Sequence, residues 1–108
     1  MKKWADLRKR QNRSKIEITA NILELAKDGS RKTRIMYLAN LSFELVQKYL
    51  KRLENLRLVE VKNANSGERV YHITATGREF LTDFYELKKH AEIADSKKRI
   101  LQSALTQK

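Results

Sequence analysis

"RKTRIMYLANLSFELVQKYLKRLENLRLVE", residues 31–60, is the stretch whose reading decides the fold. It opens on Arg31, Lys32 and Arg34 and breaks once, at Asn40-Leu41-Ser42. Thr33 is a residue type that N-caps helices, and a short helix over 34–39 with Ile35, Met36 and Leu38 as its apolar residues is expected after it. Asn40 can close that helix in the left-handed conformation, which asparagine tolerates better than most residues. Leu41 then turns into the core, and Ser42 caps a second helix over 43–55. Along it Val46, Tyr49, Leu50, Leu53 and, just past the end, Leu56 recur at helical spacing as the buried stripe. Glu44, Gln47, Lys48, Lys51 and Arg52 are left facing outward.

Before this pair, "SKIE" (residues 14–17) places a serine three residues ahead of a glutamate, the reciprocal capping box that satisfies two orphan amides. Ile18, Ile22, Leu25 and Ala26 follow on one helical face, and Asp28-Gly29 ends the helix at about residue 27. Residues 30–32 suit a short extended piece. After the pair, "LVEVK" (58–62) and "RVYHIT" (69–74) alternate apolar and polar residues around "NANSG", a turn-forming tip of five residues. That pattern is a β-hairpin.

From Thr76 onward the chain reads as helix again. Phe80, Phe84, Leu87, Ala91, Ala94, Lys98, Leu101 and Leu105 are spaced alternately four and three apart, a heptad pattern with one basic interruption. A continuous helix over 76–107 would be about 48 Å long, more than a small domain can cover. Fraying after Lys89, or a break at Asp95-Ser96, is the alternative. Three helices, a hairpin and a long helix make a mainly α fold with a small β-hairpin, the winged helix-turn-helix arrangement. The expected organisation is a basic arm (1–13), the winged helix-turn-helix (14–75) and a C-terminal coiled-coil dimerisation helix (76–108). No internal repeat or low-complexity tract interrupts it.

Charge narrows the partners. The 108 residues carry 24 Lys and Arg against 13 Asp and Glu, a net +11, and the first fourteen alone hold six basic residues against one acidic. Such an excess favours a polyanion, because each neutralised phosphate releases condensed counterions. Nucleic acid is the commonest polyanion, acidic membrane the next, and a merely solvated surface the plain alternative. No apolar run approaches the roughly 18 residues of a membrane span. The N-terminus lacks the apolar stretch of a secretory signal. There is no cysteine, hence no disulfide framework and no thiolate metal site. An intracellular, cytoplasmic and nucleoid-associated location is the expectation.

In a winged helix the third helix enters the major groove by its N-terminal half, while the hairpin reaches adjacent backbone or minor groove. Gln47 can pair with an adenine edge, and Lys48 and Lys51 can reach guanine or phosphate. Ser42, Phe43 and Glu44 lie at the helix tip. Glu44 fits least well, since it repels phosphate unless it accepts from cytosine. Arg31, Lys32 and Arg34 surround the start of helix 2, where free amides also favour an anion. Lys62 and Arg69 flank the wing tip. A solvated face is the ordinary fate of any one of these cations, so it is their grouping that counts. The arm "KKWADLRKR" (2–10) can dock through Trp4 and Leu7, lie along DNA, or be a dispensable tail.

The motifs Lys32-Thr33-Arg34-Ile35-Met36-Tyr37, Ala39-Asn40-Leu41-Ser42 and Tyr49-Leu50, with "HITATGREFL" (72–81), closely resemble the small basic archaeal chromatin-associated proteins of the Sulfolobus "ten-a" type. The resemblance covers roughly residues 14–90. It implies a winged helix whose C-terminal helix pairs with its mate in an antiparallel coiled coil, giving an elongated homodimer with two heads. It also implies double-stranded DNA as ligand, contacted by helix 3 and the wing. The dimer interface would use Phe84, Leu87, Ala91, Ala94, Leu101 and Leu105. This chain departs from that pattern in its longer arm with Trp4, and in Lys98 within the seam.

No Gly-rich phosphate loop, paired-histidine metal motif or nucleophile motif is present, so neither an enzyme nor a cofactor or small-molecule ligand is expected. His72 falls within a strand pattern and His90 on a polar helix face. A protein-docking module is the competing class. Structured RNA is a third, less suited because the major groove of A-form RNA is too narrow for a helix.

Overall fold

Ser14 begins the first helix through its side chain. Its hydroxyl accepts from the Glu17 N–H at 3.2 Å, and Glu17 Oε1 accepts in return from the Ser14 N–H at 3.3 Å. The computed structural model describes the backbone of residues 13–106 and the side chains of residues 13–92. Helix α1 (Lys15–Leu25) ends two residues earlier than its periodicity predicts. Residues 26–28 form a turn, and Gly29 at φ +83° carries the chain out of it. A side chain on Gly29 would also strike the His72 ring. The Ile73 N–H donates to the Ala26 carbonyl at 2.9 Å and ties the end of α1 to the sheet.

The remaining order is β1 (Ser30–Arg31), α2 (Lys32–Leu38), α3 (Phe43–Asn55), β2 (Val59–Asn63), β3 (Arg69–Ile73) and α4 (Ala75–Thr106). β2 and β3 form the expected hairpin, in register from Val59–Ile73 to Asn63–Arg69. The short extended piece joins it as a third antiparallel strand, with Ser30 opposite Tyr71 and Arg31 opposite Val70, so the sheet order is β1-β3-β2. At the wing tip the Ala64 N–H donates to the Glu68 carbonyl at 2.8 Å.

The core lies where α1, α2 and α3 close over the sheet. Ile22, Leu23, Ile35, Val46, Leu50 and Leu53 are its fully buried side chains. Burying each is worth about 1.5–3 kcal/mol relative to exposure. Val46, Tyr49, Leu50 and Leu53 are the inward stripe of α3, and Leu41 is buried ahead of it, both as the spacing predicts. On α1, Ile22 and Ala26 are buried and Ile18 and Leu25 partly so, while Ala20 and Leu23 are buried as well. The buried face of α1 is therefore broader than its sequence stripe.

Two expectations, for Thr33 and Leu56, fail at helix ends. Thr33 lies inside the first turn of α2, whose N-cap is Arg31 without a side-chain hydrogen bond. Leu38 and Leu56 are 51% and 55% exposed. In each case a left-handed residue folds the chain back, and a neighbour takes the inward place. Asn40 (φ 55°) lets the Leu41 N–H reach the Met36 carbonyl at 2.9 Å, and Ala39 and Leu41 are buried. Arg57 (φ 60°) does the same for the Leu58 N–H and the Leu53 carbonyl at 2.9 Å, which buries Leu58.

Thr74 starts α4. Its Oγ1 accepts from the Gly77 N–H at 3.0 Å and donates to the Arg57 carbonyl at 2.6 Å. Gly77 is buried so closely against Leu58 that a β-carbon would overlap the Leu58 carbonyl oxygen. The 32 residues of α4 run unbroken through Asp95-Ser96, so the fraying alternative does not hold for the backbone. At about 1.5 Å per residue the helix is about 48 Å long. Leu81 is buried in the core and Phe80 and Phe84 pack against it, whereas Leu87 is 63% exposed and Ala91 is exposed.

Candidate nucleic-acid interface

The outer face of α3 meets α2 and β3 along a surface groove. Lys32 enters it from α2, Gln47 and Lys51 from α3, and Arg69 from β3, with Leu50, Glu54 and Tyr71 completing the lining. The strong amphipathicity of α3 makes this possible: its inner stripe locks the helix to the core, so its outer residues have a fixed direction. Ser42 holds the tip, its hydroxyl accepting from the Leu45 N–H at 3.2 Å. Phe43, the first helical residue, is 55% exposed, with Lys32 Nζ 5.4 Å from its ring centre. Lys48 and Glu44 are exposed on α3 but do not line the groove.

The predicted cations divide into two groups. Arg31 pairs with Glu68 at 2.5 Å, Lys62 with Glu60 at 3.5 Å and Arg69 with Glu54 at 3.5 Å. Arg34 Nη1 donates to Ser30 Oγ at 3.5 Å. Surface pairs of this kind are worth about 1 kcal/mol or less, so an incoming phosphate can replace the carboxylate. Lys32, Lys48 and Lys51, by contrast, make no ion pair among the described residues. Of the predicted cations, the two on the wing and Arg31 are thus paired with carboxylates, while those on α3 and Lys32 beside it are not, among the described residues.

Tyr37 was not singled out by the sequence as a contact. It is 80% exposed and shares a second concavity with Arg31, Thr33 and Arg34. The available signal was an aromatic residue one turn past Arg34 on a helix whose inward positions were already filled. Arg13, the last residue of the expected arm, donates from Nη2 to the Ala39 carbonyl at 2.7 Å. Trp4 and Leu7 lie outside the described residues.

Of the six expected seam residues, Phe84, Leu87 and Ala91 share an apolar groove between α1 and α4 with Ile16, which is 46% exposed. The side chains of Ala94, Leu101 and Leu105, like that of Lys98, lie outside the described residues. Among the described residues no helix is long and apolar enough to cross a membrane.

This geometry can be set beside known proteins. A family model described as winged helix-turn-helix matches residues 12–92. The uncharacterised protein MJ0287 of Methanocaldococcus jannaschii is 34% identical over 90 residues, which is 82% of this chain and 84% of that protein. The crystal structure of Sso10a-2, a DNA-binding protein from Sulfolobus solfataricus, superposes with a TM-score of 0.77 at 28% identity, over 89% of this chain and all of that one. Staphylococcus aureus MepR, solved as a DNA complex, shares the fold at 20% identity and a TM-score of 0.64, over 98% of this chain and 90% of that one. The resemblance to the Sulfolobus proteins is borne out, and its relatives include proteins from two archaea. The capped three-helix core, the three-stranded sheet with its wing and the family match over most of its length place this chain in the winged helix-turn-helix family.

Proposed function

We propose that this chain is a homodimeric protein that binds double-stranded DNA, in chromatin architecture or transcriptional regulation, with α3 in the major groove and the β2–β3 wing on adjacent backbone. The observation that carries the reading is the groove in which Lys32 and Lys51, without an ion pair among the described residues, flank Gln47 on a helix fixed by its own core stripe. A major groove admits such a helix, and phosphates on its rim would meet the lysines. The Sulfolobus relative described as a DNA-binding protein supports the same ligand. Dimerisation is supported by α4, whose apolar stripe leaves the core after Phe84 and continues as exposed Leu87 and Ala91. The protein acts by binding, without catalysis, in the compartment that holds the DNA.

Fluorescence anisotropy on a random-sequence duplex of about 30 base pairs tests this, against the Kd of about 10⁻⁴–10⁻⁶ M typical of non-specific binding. Saturation at low micromolar protein or below, lost as salt rises, favours the architectural role. Weak binding points to a regulator without its operator, which selection from genomic fragments would then supply. No binding at low salt overturns the reading and favours a protein-docking role, for which the exposed apolar groove between α1 and α4 is the specific support.

A further inference from the structure

We propose that the tip of α3 reads A·T base pairs, with Phe43 against a thymine 5-methyl group and Gln47 on an adenine edge. This deepens the DNA-binding reading and rests on it.

Phe43 is the exposed apolar side chain that begins α3, next to the cations of the groove. A ring 55% exposed at the first position of the recognition helix gains nothing from the core. Nor is it a loose side chain, since the Lys32 ammonium lies 5.4 Å from its centre, within cation–π range. Lys32 also lines the groove that holds Gln47 and Lys51, so the ring stands beside that groove without lining it. A single exposed ring is ordinary on a protein surface; it is the place of this one, at the tip of α3 beside the Lys32 ammonium, that points to a contact. In the major groove one base offers an apolar partner, thymine through its methyl.

Gln47 stands one helical turn after Phe43, on the same face, about 6 Å further along the axis. With base pairs 3.4 Å apart, that separation corresponds to about two steps. A glutamine amide in this position donates to adenine N7 and accepts from adenine N6, a bidentate pairing no other base matches. The rest of the tip does not favour guanine. Glu44 is exposed beside Phe43 and carries only acceptors, which oppose the O6 and N7 acceptors of guanine and leave the cytosine amine as its one partner on a G·C pair. No arginine stands among residues 43–51, and the two lysines there, which could reach guanine or phosphate, are both assigned to phosphate in this reading. Sequence preference is thus set by one ring and one amide, while Lys32, Lys48 and Lys51 serve the backbone.

The test is competition anisotropy with the full-length protein and duplexes of about 30 base pairs, alternating dA-dT or alternating dG-dC, at one salt concentration. The dA-dT duplex should bind at least about fivefold tighter, the low end of what one bidentate base contact supplies. Replacing thymine by uracil removes only the methyl and should weaken binding about fourfold, as expected for one buried carbon. Phe43→Ala should abolish that thymine-over-uracil discrimination, and Gln47→Ala should abolish sensitivity to 7-deazaadenine. Equal affinity for the two duplexes overturns the inference and leaves DNA binding intact. A dA-dT preference that survives both base analogues also overturns it, because the preference would then come from DNA shape. Failure to bind either duplex removes the DNA reading together with the inference.

Discussion

The Tyr85 hydroxyl donates to Glu24 Oε2 at 2.6 Å, joining α4 to α1 across 61 residues of sequence. Glu24 also pairs with Lys27 at 2.6 Å. Hydrogen bonds from Lys27, and then from Tyr85, hold the Glu24 carboxyl below its usual 4.5. Donation to that carboxylate, with a smaller contribution from burial, pushes the Tyr85 phenol from 10.0 up to about 12. A depressed carboxyl stabilises the fold above about pH 4.5, and its contribution is lost as pH falls through the lowered value. A raised phenol stabilises it below pH 10, and its contribution is lost as pH rises toward about 12. Tyr85→Phe should therefore lower stability by about 0.5 kcal/mol, the low end for a hydrogen bond that water can reach. In thermal melts the gap from wild type should be constant between about pH 5 and 10 and close on either side. A pH-independent gap would mean that Tyr85 acts by packing alone.

Gly77→Ala tests the close approach of α4 to the turn after α3. Alanine is ordinarily the better helix former by about 1 kcal/mol. Here its methyl would overlap the Leu58 carbonyl oxygen, a backbone atom that cannot rotate away. A net loss of about 1–3 kcal/mol is expected, as for other overpacked sites. A urea midpoint equal to or above wild type would show that α4 can shift without cost.

Lys48→Ala with Lys51→Ala addresses the DNA-facing side of α3. Each phosphate contact contributes about 0.9 to the slope of log K against log salt. The double variant should bind a duplex more weakly and with a slope shallower by up to about 2. An unchanged slope would place α3 outside the interface, whatever the change in affinity.

Leu87→Glu addresses the proposed pairing of α4. Leu87 is 63% exposed and belongs to the apolar stripe beyond the core. Two copies burying it would each gain about 1.5–3 kcal/mol, so a charge there should convert a dimer into monomer. Sedimentation equilibrium reads the state, and far-UV circular dichroism checks that the fold persists. A variant that stays dimeric excludes Leu87 from the seam.

Much of the molecule was legible in short stretches of sequence, and the reason is locality. The Ser14–Glu17 box, the Ser42 cap and the left-handed Asn40 and Gly29 involve atoms within a few residues of one another, so residue type alone decides them. The inner stripe of α3 follows from helical period, and the hairpin follows from alternation around a turn-forming tip. The outward position of Gln47, Lys48 and Lys51 is the complement of that stripe.

What only the tertiary structure decided was every contact between segments distant along the chain. Leu56 continues the buried stripe of α3, yet the chain reversal at Arg57 brings Leu58 inward in its place and leaves Leu56 in solvent. Ser30–Arg31 became a strand because β3 presented a free edge to it. Arg31 and Arg69 read in sequence as candidate contacts, but β1 and β3 carry them to Glu68 and Glu54, while Lys32 and Lys51 meet no carboxylate among the described residues. Periodicity assigns a residue to a face of its own element. Which other element covers that face, and which charge meets it there, is settled only when the elements pack, because side-chain contacts act over a few ångströms and not along the chain.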